Sequence, residues 1–221
     1  MHIHTHTHSI YQQKISMAFK NINNASNLNP EEYYDNMASE YNDVVVKKWG
    51  YQMPQEVTKC LLDNNLSTNF EILDLGCGNG LVGVEMHKSG YVNITGVDIS
   101  EKMMNMARKT GSYKKVLKSD LSKKLQFDAN SYDLLVCVGT TTYLDPAVLN
   151  DWCKVVKTGG YLVFTHKTAV WKIWEPTQEK LVHDKTMEQV YLSDDLPYLP
   201  GFSEEAKQHE RARIYIYKVL V

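Results

Sequence analysis

Two carboxylates and three closely spaced glycines could bind a small ligand in this chain of 221 residues. The glycines are Gly76, Gly78 and Gly80, with Asp74 before them and Asp98 after them. Glycines adopt positive φ readily and, having no Cβ, let a ligand approach backbone N–H groups. A carboxylate about twenty residues after such a loop can accept hydrogen bonds from both hydroxyls of a ribose. The spacing therefore predicts a nucleoside site.

The segments around this loop place it between a strand and a helix. An apolar run at about 70–75 enters the loop, and a helical pattern at about 80–89 follows it. A second apolar run at about 93–98 ends in Asp98. This layout is typical of a nucleotide site at the edge of a parallel sheet.

The spacing of the glycines distinguishes between two nucleotide cofactors. In the dinucleotide fingerprint G-x-G-x-x-G, the third glycine packs the helix against the strand. Here Gly80 comes one residue early and Leu81 stands in the fingerprint position. Both Leu81 and the acidic Asp74 argue against the alternative of an NAD-dependent oxidoreductase. Asp-x-Gly-x-Gly-x-Gly instead resembles motif I of the class I S-adenosylmethionine-dependent methyltransferases.

That resemblance implies S-adenosylmethionine as the cofactor and implies a role for each strand end. Asp74 would accept a hydrogen bond from the cofactor ammonium, directly or through water, and Asp98 would accept from the ribose hydroxyls. The implied cofactor residues are Tyr34, Tyr41, Asp74, Gly76, Cys77, Gly78, Gly80, Asp98, Ile99, Asp120, Leu121, Val138 and Gly139. For the glycine loop alone, the alternative is a tight strand–helix turn without a ligand.

The adenine and the transferred methyl would lie beyond the next strand ends. Ile99 would line the adenine slot, Asp120 would accept from the adenine amino group, and Leu121 would offer its backbone N–H. Val138 and Gly139 would flank the methyl, because ligands lie beyond the carboxyl ends of parallel strands. A Ser-Asp pair at a strand end is also an ordinary helix cap, which is the alternative for Asp120.

A tyrosine-containing segment before the core resembles the lid helix of many small-molecule methyltransferases. Asn29 and Pro30 form a helix opening, and Tyr34 and Tyr41 share one face of the helix that follows. By resemblance, Tyr41 would meet the carboxylate or the sulfonium of the cofactor. The alternative is a plain amphipathic helix that packs its tyrosines on the domain.

Methyl transfer from a sulfonium depends mainly on an in-line approach of the acceptor in a dry pocket. A neutral oxygen or amine acceptor would still benefit from a base. We predict His166, at the end of the fifth strand, and Tyr143 as catalytic residues, with Tyr143 orienting the acceptor. His183 is a second candidate base. The alternative for His166 is a histidine that caps a strand end.

Apolar runs and helical patterns alternate through most of the chain, which predicts a parallel sheet with right-handed crossovers. Glu188–Leu192 and Arg211–Leu220 predict two more strands, which would add an antiparallel strand. The expected fold class is α/β, a Rossmann-like doubly wound seven-stranded mixed sheet with an antiparallel C-terminal strand. The seven-stranded sheet of class I methyltransferases ends in that way.

We expect two regions along the chain. Residues 1–29 form a disordered tail rich in histidine and asparagine, and residues 30–221 form a single methyltransferase domain. Within it, 30–65 supply the N-terminal lid helices and 169–205 form an aromatic-rich insert on the substrate side. Four histidines near the start alternate with other residues, a spacing that could chelate a metal: His2, His4, His6 and His8. A disordered low-complexity segment is the favoured interpretation.

The composition limits the kinds of partner that we expect the protein to bind. The net charge is −2 and no long basic block is present, so nucleic acid is not an expected partner. No apolar run approaches the length of a membrane span, and the four cysteines lack metal-ligand spacing. We expect a cytoplasmic protein, with a monomer favoured, that methylates a small molecule and uses no metal. A protein methyltransferase and a non-catalytic S-adenosylmethionine-binding protein are the alternatives.

Within the methyltransferases, the run from Asp74 through Leu117 is similar to the methyltransferase-like proteins of the Williams–Beuren chromosomal region. The shared residues include Gly80-Leu81-Val82 and Gly96-Val97-Asp98. This similarity implies the fold and the cofactor, and it implies no acceptor.

Overall fold

The computed structural model describes residues 29–168, 170–202 and 210–221. The predicted tail, apart from Asn29, and part of the predicted insert therefore lie outside the described residues. In the described part, one mixed sheet forms the centre of the molecule and helices pack on both of its faces. The strands are β1 (Ile72–Leu75), β2 (Ile94–Asp98), β3 (Lys115–Lys118), β4 (Tyr132–Cys137), β5 (Val156–Lys167), β6 (Met187–Leu192), β7 (Leu196–Pro197) and β8 (Arg211–Val219).

The helices alternate with the first five strands. They are α1 (Pro30–Met37), α2 (Met53–Asp63), α3 (Leu81–Lys88), α4 (Glu101–Lys109), α5 (Leu149–Val155) and α6 (Trp171–His183). A π-helical segment spans Asn42–Lys48, and 3₁₀ turns span Thr141–Tyr143 and Pro146–Val148. A helix lies in every crossover between the parallel strands except the one from β3 to β4, residues 119–131, which contains turns only.

The order of strands across the sheet is β3-β2-β1-β4-β5-β8-β6, with the short β7 paired to β8. Strands β1 to β5 are parallel, and β8 runs antiparallel to β5, with Thr165 opposite Ile214. The α/β class and the antiparallel C-terminal strand are confirmed. The described sheet has eight strands where seven were expected, because the loop before β8 adds the two-residue pairing of Leu196 with Ala212.

Alternating side chains of the central strands form a core on each face. Ile72, Ile94 and Val136 pack on one face, together with α2 and α3. Leu73 and Leu135 pack on the other, with α5 and α6. All five are fully buried, which explains why the central strands appear in the sequence as nearly continuous apolar runs.

Helix caps follow the sequence pattern closely. The Asn29 carboxamide oxygen accepts from the Glu32 backbone N–H at 3.0 Å, with Pro30 at the first helical position. The Ser100 hydroxyl accepts from the Met103 N–H at 3.1 Å, which starts α4 directly after β2. The carboxyl end of β2 is therefore fixed by the helix that follows it.

Three segments differ from the sequence prediction. The first helix of the predicted lid region, expected from Pro30 through Asp43, divides into α1 and the π-helical segment. Strand β5 begins at Val156, several residues before the expected 160. Helix α6 was not predicted, because Pro176 lies within it and breaks the sequence pattern. Its apolar side is nevertheless clear in the structure, where Trp174 and Leu181 are buried against β5.

No helix in residues 29–168, 170–202 and 210–221 is both long enough and apolar enough to span a bilayer.

Candidate active site

A cavity of about 430 Å³ lies beyond the carboxyl ends of the parallel strands. Its walls come from the loops after β1 to β5 on one side and from α1 and the π-helical segment on the other. Of the predicted cofactor residues, those that line it are Tyr34, Tyr41, Gly76, Cys77, Gly78, Asp98, Ile99, Asp120, Leu121, Val138 and Gly139. Asp74 and Gly80 do not line the cavity.

Asp98 ends β2 as a buried carboxylate at the cavity wall. One of its oxygens accepts from the Gly78 backbone N–H at 2.8 Å, and the other accepts from the Ser100 N–H at 2.9 Å. Burial raises the pKa of Asp98, and the N–H donors, from Ser100 and then Gly78, oppose that rise. The carboxylate thus ties the glycine loop to the start of α4, and its remaining lone pairs can accept further hydrogen bonds.

Asp74 lies beneath the loop and is almost completely buried. One carboxylate oxygen accepts from the Tyr113 hydroxyl at 2.7 Å, and the other has no partner in the described part of the chain. Burial raises the pKa of Asp74 to about 7, although the hydrogen bond from Tyr113 acts in the opposite direction. One carboxylate oxygen of Asp74 can therefore accept a hydrogen bond from a further donor under the loop.

Tyr113 fills the space beside Asp74, and the sequence analysis did not identify it. Its hydroxyl accepts from the Gly83 N–H at 3.0 Å while donating to Asp74. A Cβ at Gly83 would stand 2.2 Å from the tyrosine ring, and one at Gly96 would stand 2.9 Å from it. The glycines at these two positions are the signal that a large side chain fits between α3 and β2.

The end of β4 forms the floor of the cavity under the expected position of the transferred methyl. Gly139 has φ +76°, and a Cβ there would lie 2.5 Å from the Tyr51 hydroxyl. The Gly139 N–H donates to the Thr165 hydroxyl at 2.9 Å, which ties β4 to β5. The Tyr143 hydroxyl accepts from the Tyr34 hydroxyl at 2.8 Å, so Tyr34 of α1 directly contacts the predicted catalytic tyrosine.

At the far end of the cavity, Asp120 and Leu121 follow β3. Asp120 accepts from the backbone N–H of Ser122 at 3.0 Å and from its hydroxyl at 2.7 Å. Asp120 thus lines the cavity and also makes a local turn. The alternative for it was a helix cap, but no helix lies between β3 and β4, over residues 119–131. Leu121 is buried, and with Ile99 and Met103 it gives this end of the cavity an apolar wall.

Polar contacts hold α1 and the π-helical segment against the core. Asp35 accepts from the Ser100 hydroxyl at 2.5 Å and from the Lys102 N–H at 3.3 Å. The Asn79 side chain donates to Asn42 at 2.8 Å. The others are the contact of Tyr34 with Tyr143 and the ion pair of Glu31 with Lys118. Because no residue of α1 is fully buried, these polar contacts carry much of its attachment.

We predict that Asp35→Ala weakens S-adenosylhomocysteine binding about three- to tenfold in a calorimetric titration. The substitution removes two hydrogen bonds to a partly exposed carboxylate, worth about 1 kcal/mol together after solvent screening. Asp43→Ala is the matched control, since within the described residues the Asp43 side chain makes only an exposed ion pair with Lys47. Equal affinities for the two variants would show that this contact does not order the lid.

His166 lies on the other face of the sheet from the cavity. Its ring packs against Phe164 and Trp174, Nδ1 lies 3.0 Å from the Thr141 hydroxyl oxygen, and Nε2 lies 3.2 Å from the Gln178 amide. Strand side chains alternate between faces, so the neighbouring Lys167 points into the cavity while His166 points into the core. Neither His166 nor the exposed His183 lines the cavity, so the structure does not place either histidine where it was predicted to act as a base.

Burial lowers the pKa of His166 to about 3. The unfolded chain binds a proton at this residue below about pH 6.5, which the folded chain does not, so acid favours unfolding. We predict that wild-type protein loses about 2 kcal/mol more stability than His166→Gln between pH 7 and pH 5, because the variant has no such group. Urea unfolding at both pH values measures this difference. An equal loss in both proteins would mean that His166 is charged in the folded state.

Trp49, Tyr51 and Lys167 line the cavity and escaped the sequence analysis. Trp49 and Tyr51 follow the π-helical segment, and Lys167 ends β5, so no regular pattern marks them as cavity residues. Tyr198 and Leu199 follow β7 and belong to the 169–205 insert, whose aromatic residues were expected to shape the substrate side. Tyr51 and Tyr198 pack edge to face, with ring centroids 5.3 Å apart.

Comparisons with known proteins agree with this geometry. Residues 73–164 match a family described as a methyltransferase domain. The chain is 25% identical over 183 residues to the carboxy-S-adenosyl-L-methionine synthase of Campylobacter fetus, covering 78% of this chain and 73% of that protein. It is 26% identical over 161 residues to a ubiquinone biosynthesis O-methyltransferase of Vibrio cholerae, covering 68% of this chain and 65% of that protein.

The fold is similar to that of the geranyl diphosphate C-methyltransferase of Streptomyces coelicolor, solved with S-adenosyl-L-homocysteine bound. The TM-score is 0.59 at 14% identity, over 75% of this chain and 76% of that chain. The similar fold, the glycine loop with Asp98 at a common cavity, and the matched domain agree with one another. The chain contains a methyltransferase domain and has the fold of the class I S-adenosylmethionine-dependent methyltransferases.

Proposed function

We propose that this enzyme transfers a methyl group from S-adenosylmethionine to an oxygen, nitrogen or sulfur atom of a small-molecule acceptor. The observation that carries this proposal is the extent of the cavity. It reaches from Ile99 and Asp120, beyond β2 and β3, to Tyr143 and Lys167, beyond β4 and β5. Such a cavity offers space for an acceptor beside the cofactor, on the side of Tyr143.

The proposed cofactor contacts follow the order of the strands. Asp98 accepts from the ribose, Ile99 and Leu121 enclose the adenine, and Asp120 accepts from its amino group. The loop from Gly76 to Gly78 holds the amino-acid end above Asp74. The buried oxygen of Asp74 without a partner supports this assignment, because an ammonium, directly or through water, would supply the missing donor.

In this proposal the protein accelerates methyl transfer mainly by holding the cofactor and the acceptor in position. The cofactor supplies a methyl group already activated on a sulfonium sulfur. Tyr34 orients the Tyr143 hydroxyl at the cavity wall, and the aromatic side chains above it exclude water. Holding two reactants in line can contribute roughly 7–11 kcal/mol to catalysis, which leaves little need for acid–base help.

The choice of a small molecule rests on the surroundings of the cavity. A net charge of −2 gives no general attraction to nucleic acid. The aromatic walls suit a compact and partly apolar acceptor. The two relatives named above also act on small molecules according to their names, whereas the similarity to the Williams–Beuren-region proteins suggests no acceptor.

Methyl-labelled S-adenosylmethionine tests this proposal in an extract separated into protein and small-molecule fractions. We expect label to appear in the small-molecule fraction with wild-type protein and not with Asp98→Ala. Label in protein alone would favour the alternative of a protein methyltransferase. Binding of the cofactor without transfer into either fraction would favour a non-catalytic binding protein.

A further inference from the structure

Lys167 gives the acceptor end of the cavity a positive charge. Among the described residues that line the cavity, Lys167 is the one cation, and the acidic residues are Glu31, Asp98 and Asp120. The latter two follow β2 and β3, and Glu31 is paired with Lys118 of β3 at 2.6 Å. Negative charge is therefore concentrated at one end and the single positive charge lies at the other.

The fold explains how a lysine comes to lie there. Phe164 of β5 is level with Cys137 at the end of β4, so Lys167 extends three residues beyond the paired part of β4. Thr165 and Lys167 share the face of β5 that points towards the lid, and Thr165 already holds Gly139. The side chain of Lys167 is only 19% exposed.

The present partners of the ammonium leave room for another. Lys167 Nζ lies 4.5 Å from the centroid of the Tyr198 ring and 3.0 Å from a Glu210 carboxylate oxygen. Glu210 is 41% exposed and contacts the ammonium without lining the cavity. An ammonium has three donors, and a partly buried charge is stabilised by each anionic partner. A ligand anion inside the cavity can therefore bind beside Glu210.

We propose that Lys167 recognises an anionic group, a carboxylate or a phosphate, on the methyl acceptor. This inference rests on the proposed methyl transfer. The carboxylate of the cofactor itself is a less suitable partner. Strands are about 4.8 Å apart, so β5 lies two strands and roughly 10 Å from β1, where the loop from Gly76 to Gly78 is placed to hold the amino-acid end of the cofactor. The planar walls formed by Trp49, Tyr51 and Tyr198 suit a flat apolar body attached to that anionic group.

Calorimetric titrations of the protein loaded with S-adenosylhomocysteine test this proposal. The probes are benzoate and phenyl phosphate, with benzamide as the neutral molecule of matched shape. We expect at least one anionic probe to bind ten times or more tightly than benzamide. The stronger of the two anions identifies which group the site prefers.

Three variants assign that preference to the ammonium. Lys167→Met removes the charge but keeps much of the chain length, and we expect it to abolish the preference for the anion without changing S-adenosylhomocysteine affinity. Lys167→Arg should retain the preference, as should the exposed control Lys172→Met. The preliminary loading step shows separately whether the protein binds the cofactor product at all, which tests the proposed function on its own.

Two results would overturn the proposal. The first is that the loaded wild-type protein binds neither anion more tightly than benzamide, and a failure to bind any of the probes counts as this result. The other is Lys167→Met with weakened S-adenosylhomocysteine binding and an intact preference for the anion, which would assign Lys167 to the cofactor.

Discussion

Asp98→Ala should weaken the binding of S-adenosylmethionine and S-adenosylhomocysteine at least a hundredfold. In the proposed complex this carboxylate accepts from both ribose hydroxyls, and losing a charged acceptor from a buried site costs several kcal/mol. The substitution also frees the N–H groups of Gly78 and Ser100, so the loop and the start of α4 lose a shared anchor. Calorimetry with each ligand measures the loss.

The matched control is Asp151→Ala, which removes a carboxylate on α5 outside the cavity and should bind normally. Thermal unfolding of Asp98→Ala without ligand shows how much of its effect comes from the fold. Near-normal affinity in a folded Asp98→Ala protein would contradict the placement of the ribose at this residue.

Gly76→Ala should lower the free energy of unfolding by about 3 kcal/mol and weaken cofactor binding more than tenfold. Gly76 has φ +70°, and a Cβ there would lie 2.3 Å from the Thr140 side-chain oxygen. Left-handed strain costs about 1–2 kcal/mol and overpacking about 1–3 kcal/mol, so both contribute. Urea unfolding and calorimetry measure the two effects.

The Gly111→Ala variant separates the cost of backbone strain from the cost of the close contact with Thr140. Gly111 also has φ +70°, but a Cβ added there would have no heavy atom within 4 Å, and the residue is outside the cavity. We expect a loss of about 1 kcal/mol and normal cofactor binding. If both alanine variants lost the same stability, the close contact between the glycine loop and Thr140 would have no energetic effect.

Much of the fold could be predicted because local sequence and tertiary packing agree in the first five strands. The apolar runs that end at Asp74 and Asp98 are short, completely buried and followed by glycines or a helix cap. Such strands require helices on both faces, so alternation alone indicates the parallel sheet. Helix α6 was missed because its identity depends on burial of Trp174 against β5 and not on a regular local pattern.

The residues of the candidate site also divide into those that could be predicted from the sequence and those that could not. Gly76, Gly78 and Asp98 could be found from spacing, because a strand, a turn and a helix fix their relative positions. His166 was predicted from its place at a strand end, but the alternation of side chains along β5 directs it into the core and Lys167 into the cavity. Tyr113 could be recognised only through the space left by Gly83 and Gly96.

Calorimetric titration of the wild-type protein with S-adenosylmethionine, S-adenosylhomocysteine and NAD tests the central claim most directly. The glycine loop, Asp98 and the apolar slot at Ile99 predict micromolar binding of the first two ligands and no binding of NAD. Binding of NAD in preference to S-adenosylmethionine, or no binding of S-adenosylmethionine and S-adenosylhomocysteine, would contradict the assignment of this cavity to a methyltransferase.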